Sequence, residues 1–263
     1  MTGINETYYQ QLTRCPVVAL SGYAAKHGLP GKLYACGAFA AALAIAAGRS
    51  GHPLTLVVPP ALEPERERFL QGLGARLRPC YERPSGQDGM DILARRMAQE
   101  QGAYYMNYLA SEDNPEYHRR ITGPALLKAT DSGNLIDAIV AGVGSGGTVT
   151  GVGEYVKAWT NHIRMAAVEP YECQAIGGGF LAPHGIPNIG FGFVPENYNP
   201  YVVDLVLAVT TGEAVQAARE VLLTDGIPAG PSAGATLYAA RTLLERGKSK
   251  SALCIFQSRQ VYA

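Results

Sequence analysis

Residues 144–148 read Gly-Ser-Gly-Gly-Thr, between the apolar run LIDAIVAGVG (135–144) and the helix-forming stretch GGTVTGVGEYVKAWT. A turn of small residues between a strand and a helix lets successive backbone N–H groups converge on one point. Gly144, Gly146 and Gly147 permit the sharp turn, while Ser145 and Thr148 bring hydroxyls. The helix that follows aims the positive end of its dipole at the same place. The chemistry on offer is capture of an anion, a phosphate above all. Close packing of helix on strand would use the same glycines, so the turn alone does not choose between the two. No G-x-G-x-x-G dinucleotide fingerprint follows an N-terminal strand, and no G-x-x-x-x-G-K-[ST] supplies a lysine. A nicotinamide cofactor or a nucleoside triphosphate is therefore not expected.

The elements that must position this turn alternate. LTLVVPP (54–60) reads as a buried strand, 63–74 as an amphipathic helix, and 75–81 as a second strand. A helix over 88–102, a strand over 103–109 and a helix over 114–130 follow. LIDAIVAGVG is apolar almost throughout, the mark of a central parallel strand covered on both faces. After the glycine turn come strands at IRMAAVE, VDLVLAVT and SALCIF, with helices at GEAVQAAREVLLTDG and SAGATLYAARTLLERG. Strand–helix alternation implies parallel sheets wound through right-handed crossovers. The stretch 180–201, rich in Gly, Pro and Asn, is too long for a simple connector, and its aromatics favour an ordered, functional segment.

Totals narrow the class. In 263 residues, 22 basic side chains balance 22 acidic ones with no long run of either sign, so neither a nucleic-acid nor a membrane-surface role has electrostatic support. No apolar stretch reaches the roughly 18–20 residues that span a bilayer, and the polar opening MTGINETYYQQLTR lacks the order of a signal peptide. Five cysteines, at 15, 36, 80, 173 and 254, form no C-x-x-C pair and are odd in number. That predicts reduced thiols in a cytoplasmic protein and no metal site.

VAGVGSGGTVTGVGEYVK, preceded by NPEYHRRITGPALL and followed by AVEPYE, resembles the cysteine synthase family of fold-type-II enzymes dependent on pyridoxal 5'-phosphate (PLP). The likeness continues through HGIPNIGFGFVPENYNPYVVD, GPSAGATLYAA and LCIFQS, and upstream through LYACGAFAAALAIAAGRSGHPLTLVVPP and PERERFLQGLGARL. It runs collinearly over roughly 13–263. The resemblance implies two α/β lobes with parallel sheets wound by helices, in a tryptophan synthase β-like architecture. The smaller lobe is expected over 33–130 and the larger over 1–32 with 131–263, with the active-site cleft between them.

Against that family the catalytic parts are altered. The family holds the PLP aldehyde as an imine on a lysine that also moves the α-proton. In register with TRCPVVALS, Cys15 stands at the lysine's position, and the next lysine, Lys26, is eleven residues further on. The resemblance thus implies that the covalent anchor is absent. The family's polar loop for the substrate carboxylate reads ACGAFA here: Gly37 survives, Ala38 has no amide to offer, and Phe39 brings bulk. Ser258 falls where the family sets a serine against the pyridine nitrogen, Gly144–Thr148 keep the phosphate cradle, and Asn188 replaces a glycine. Fewer residues precede Cys15 than in the family, which implies loss of part of the dimer surface.

The candidates follow. Cys15 is either a nucleophile, ionised beside an anion cradle, or a small apolar filler; Cys36 is a second thiol facing the same cleft. Cys80, Cys173 and Cys254 read as structural, as does His118. His184 can serve as a general base if its loop reaches the cleft, and is a surface histidine otherwise. Ala38, Phe39, Asn107, His184 and Asn188 are expected to line the cleft, with Gly37, Gly144–Thr148 and Ser258 binding substrate or anion. The expectation is a lyase or transferase diverged from cysteine synthase and working without a PLP–lysine bond. It would act on a small carboxylate- or phosphate-bearing metabolite by elimination, addition or cyclisation. A homodimer is expected. Two alternatives stay open: an inactive homologue that binds a protein partner or metabolite, and an enzyme holding PLP non-covalently.

Overall fold

LTLVV and AIVAG are the inner strands of two separate parallel sheets, and each needs apolar cover on both faces. The structure, a computed structural model, describes residues 33–36, 40–81 and 87–256. The chain divides between Asp113 and Asn114 into two units.

In the first unit the strands are β1 (Leu33–Cys36), β2 (Leu54–Val58), β3 (Arg76–Pro79) and β4 (Tyr104–Met106). They lie in the order β3-β2-β1-β4, all parallel. The helices between them are α1 (Ala40–Ser50), α2 (Pro64–Gly72) and α3 (Gln87–Glu100). Strand alternation sends Leu54, Leu56 and Val58 into a core with Leu43, Ala47 and Leu70, while Val57 joins Cys80, Met90 and Leu93 on the other face. The short strand β1 has no counterpart in the sequence reading, because Leu-Tyr-Ala-Cys runs into an alanine-rich stretch with helical propensity.

The second unit begins with α4 (Asp113–Tyr117), a π-helical turn (His118–Thr122) and α5 (Gly123–Ala129). The periodicity of 114–130 predicts one helix. The structure interrupts it because Pro124 has no N–H to give, and Gly123 N–H instead reaches back five residues to the His118 carbonyl. This segment, assigned above to the smaller lobe, packs in the second unit: Gly123 lies against the Tyr155 ring and Gly151 against Pro115 and His118.

Then come β5 (Ala138–Gly142), α6 (Gly147–Trp159), β6 (Arg164–Pro170), a 3-10 turn (Pro200–Val202), β7 (Leu205–Val209), α7 (Thr211–Asp225), α8 (Pro231–Glu245) and β8 (Ala252–Ile255). The order is β7-β6-β5-β8, all parallel. Every residue of β5 is buried. Ala138 and Val140 face Ala235, Ala239 and Leu243 of α8, and Met165 of β6 faces Gly153 of α6, so helices cover both sides of the sheet. Fully burying Val140 alone contributes about 1.5–3 kcal/mol. Strands are added to one side of β5 and then, with β8, to the other. The C-terminal ends of β5 and β8 therefore flank a topological switch point, where open α/β sheets bind ligands.

Candidate functional site

β5 delivers the Gly-Ser-Gly-Gly-Thr turn to that switch point. Beyond Gly142, Val143 N–H still pairs with the Val168 carbonyl, at 2.9 Å, and the chain then turns into α6. Gly146 caps the helix in the left-handed region, φ 81°, where a side chain is strained. A Cβ there would also lie 2.8 Å from the Tyr198 backbone nitrogen, and one on Gly144 would collide with the Asn188 carbonyl. Packing thus demands these glycines by itself. What packing leaves unanswered is the helix end: the N-cap residue of α6, Gly146, has no side chain to close it and the first turn holds no acidic residue, while Ser145 Oγ accepts from Gly147 N–H at 3.4 Å. Its first amides have no partner within the helix, and the dipole adds positive potential there.

Two hydroxyls are held beside those amides. Asn114 Nδ2 donates to Ser145 Oγ at 2.9 Å, and Thr148 Oγ1 lies 3.2 Å from His118 Nε2. His118 Nδ1 lies 3.0 Å from Thr122 Oγ1 within the π turn. Burial pulls the His118 pKa down to about 4, so the imidazole is neutral and orients Thr148 without adding charge. Sequence reasoning took His118 as structural and missed this contact, which spans 30 residues and exists only because the π turn packs on α6.

The 184–192 stretch covers the turn from the α8 side. Ile186 and Ile189 are buried in the sheet core, and Gly190 N–H donates to the Val143 carbonyl at 3.0 Å. Asn188 adopts φ 67° and sets its carbonyl against Gly144, with Phe191 also in contact distance of that glycine. A hollow of about 500 Å³ is lined by 184–191 together with Val215 and Pro231. His184 does not present a free base. Its Nε2 lies 2.7 Å from the Gly190 carbonyl, and its Nδ1 accepts from Ile186 N–H, which fixes the tautomer and occupies both nitrogens. Its task is to close the loop.

Beneath the loop, Glu169 at the end of β6 is buried and accepts from the N–H groups of Ile176 and Gly177. Burial raises its pKa, and burial together with Glu169 raises that of the Tyr198 phenol. Burial likewise pushes the Cys173 thiol up and the Cys254 thiol to about 12, so neither is a thiolate at neutral pH.

Among the sequence candidates, Gly144–Thr148 and Asn188 are therefore brought together, with His184 in the same loop. Asn107 follows β4 in the first unit, where its Oδ1 accepts from Leu109 N–H and closes its own turn. Cys36 ends β1, paired in register with Val57. Cys15, Gly37, Ala38, Phe39 and Ser258 lie outside the described residues. Among the described residues no His/Cys/Asp/Glu group is arranged to hold a metal, and no helix is long and apolar enough to cross a membrane.

Comparison with known proteins fits this geometry. The model of a family described as "Pyridoxal-phosphate dependent enzyme" matches residues 18–258. The chain is 33% identical over 219 residues to a cysteine synthase of Staphylococcus aureus, covering 82% of this chain and 69% of that protein. The crystal structure of a cysteine synthase from Entamoeba histolytica superposes with a TM-score of 0.84 at 29% identity, over 92% of this chain and 73% of that one. O-ureido-L-serine synthase superposes with a TM-score of 0.85 at 26% identity, over 92% and 78%. From the parallel sheets wound about β1 and β5, the glycine turn that opens α6 and these matches together, the chain belongs to the pyridoxal-phosphate dependent enzymes of fold type II, in their cysteine-synthase-like branch.

Proposed function

We propose that this chain is a lyase or transferase diverged from the cysteine synthases, and that it grips a phosphate-bearing small molecule at Gly144–Thr148 without a covalent bond to lysine. The observation that carries the reading is the N-terminus of α6, which Gly146 leaves without a side-chain cap and where, among the described residues, only Gly147 N–H is met by a side chain, Ser145 Oγ, flanked by two hydroxyls that Asn114 and His118 hold in place. Hydroxyls fixed in this way have already lost their rotational freedom, so an anion that arrives pays little to organise them. The absence of a lysine bond is supported by the sequence register, in which Cys15 stands where the family has its lysine.

The described residues fit the phosphate end of PLP. Ser145, Thr148 and the first amides of α6 would hold it, and PLP when bound supplies an electron sink for bonds to the α-carbon of an amino acid. The substrate we propose is amino-acid-derived and carries a carboxylate or phosphate, with elimination, addition or cyclisation as the reaction. Cys15 and Cys36 are the thiols proposed to meet it, and unchanged turnover in Cys15→Ala would remove the first of them. The whole cradle also favours a second reading in which PLP itself, held non-covalently, is the resident cofactor.

Incubating the purified chain with PLP, reducing with borohydride and mapping peptides by mass tests the first reading. The expected outcome is saturable PLP binding, displaced by inorganic phosphate, with no stoichiometric adduct. A stoichiometric adduct on one lysine, or no binding of either anion, would overturn it. PLP retained through gel filtration, with an absorption band that changes on adding serine or cysteine, would establish the second reading.

A further inference from the structure

Helix α6 is gripped from two sides at Glu154, seven residues past its first residue and so about 10 Å along the axis from the anion turn. One carboxylate oxygen, Oε2, accepts from Arg119 Nε at 2.8 Å and from Arg119 Nη2. The other, Oε1, accepts from Asn199 Nδ2 at 2.9 Å. The two partners belong to different segments, Arg119 to the π turn and Asn199 to the end of the long loop. Asn199 is itself fixed, since its N–H donates to Thr150 Oγ1 at 2.9 Å and its Oδ1 accepts from Tyr201 N–H. The Glu154 carboxylate is thereby aimed at Arg119. With the two side chains 26% and 32% exposed, the guanidinium fork is sheltered enough to hold a direction.

What Arg119 fixes is the seat of the π turn on α6. The seat is centred on Gly151, where a Cβ would meet the Pro115 carbonyl, His118 Cβ and the Arg119 backbone nitrogen. Thr148 lies three residues before Gly151 and Glu154 three residues after it, so the three positions follow one another along the helix, a turn apart. His118 meets Thr148 at one end of the seat, and the adjacent Arg119 meets Glu154 at the other. A glycine lets the two backbones approach but gives the contact no direction. The His118–Thr148 pair is one neutral hydrogen bond at 3.2 Å and is easily lost if the turn shifts. The ion pair at the far end supplies the register that the glycine does not.

We propose that Glu154 is a positioning residue for the anion turn: through Arg119 it holds the π turn in the register that lets His118 orient the Thr148 hydroxyl. It touches no ligand. Its own negative charge, paired with Arg119, opposes an anion if it acts on one at all, so charge and geometry make opposite predictions for its removal. The assignment rests on the reading of Gly144–Thr148 as a phosphate site.

The test uses the full chain with inorganic phosphate as the probe and measures dissociation constants by calorimetry. Glu154→Gln is expected to bind phosphate about fivefold more weakly, the worth of one oriented hydrogen bond, although by charge alone it would bind more tightly. Arg119→Lys keeps the positive charge and loses the fork, and should weaken binding to a similar degree, so the step is tested from either partner. Thr148→Val carries the decisive comparison. Adding Glu154→Gln to it is expected to change the affinity by less than about twofold, because the hydroxyl through which Glu154 acts is gone. A purely structural ion pair would lower stability and leave these affinities alone. Wild-type or tighter phosphate binding in Glu154→Gln and Arg119→Lys, or a loss that adds in full to that of Thr148→Val, would overturn the assignment of Glu154 while leaving the cradle standing. Failure of the wild-type chain to bind phosphate would bring down the cradle reading and this one with it.

Discussion

His118 shows how a side chain without charge can shape an anion site. A protonated imidazole beside Thr148 would add attraction for phosphate, yet burial holds its pKa near 4, well below the ordinary histidine value of 6.5. The folded chain therefore refuses a proton that the unfolded chain accepts. Stability from the neutral ring is complete above about pH 6.5 and falls as the pH drops toward 4, by up to about 3 kcal/mol at the end of that window. Urea melts from pH 7.5 to 4.5 should show this fall in the wild type and a flatter profile in His118→Asn. An identical slope in both would mean that the ring titrates normally. Asn differs from His in shape, so the variant's absolute stability is not the readout; its slope is. Nothing in the sequence around residue 118 announces the role. The signal is a single backbone fact, the missing N–H of Pro124, which turns a helix into a π turn and rotates His118 toward α6.

At the scale of elements, the strand–turn–helix unit from β5 to α6 was legible because its physics is local. An unbroken apolar run specifies a strand buried on both faces, and small residues after it specify a tight turn. The long loop was legible only as something too long to be a connector. Its order comes from contacts that sequence spacing does not contain: His184 closing on Gly190, Gly190 pairing with Val143, and Asn188 in the left-handed region against Gly144. Two glycines separate backbone strain from crowding. Gly226 caps α7 at φ 65° with open space where a Cβ would go, whereas Gly146, at φ 81°, would press a Cβ onto the Tyr198 backbone. Gly226→Ala is expected to destabilise by about 1 kcal/mol from conformation alone. Gly146→Ala is expected to exceed it by about 1–3 kcal/mol, since the neighbour that must move is main chain. Chemical denaturation of the two variants checks the ranking, and equal losses would show that the turn yields more readily than its packing implies.

Over the whole molecule, each sheet starts on an inner strand, extends to one side and returns to the other, so each has its switch point beside its first strand. In the second sheet, acidic side chains tie that winding together at both ends. Asp137, at the start of β5, accepts from Ser249 and from the N–H groups of Lys250 and Ser251, just ahead of β8. Glu172 accepts from Thr211 N–H at the start of α7, and Glu213 completes the capping box with Thr210. Although desolvation works against them, these hydrogen bonds hold the Asp137 and Glu172 carboxyls below their usual range, and Glu213 is lowered chiefly by the Tyr238 hydroxyl. Each contribution is present above the ordinary carboxylate range and lost as the pH falls through the depressed folded value, a window more acidic than that of His118. Above both windows lies the condition for a clean linkage measurement. At pH 7.5 a ligand that binds only the folded second unit adds about 2.7 kcal/mol at one hundred times its dissociation constant. Calorimetric scans with rising inorganic phosphate should therefore displace an unfolding transition by an amount that follows the separately measured affinity. Thr148→Val should lower both together, because the hydroxyl that His118 orients is then gone. A transition that stays fixed while phosphate binds with measurable affinity would mean that the unfolded chain binds the anion equally well, and that the site is not one made by folding at the helix end where β5 hands over to α6.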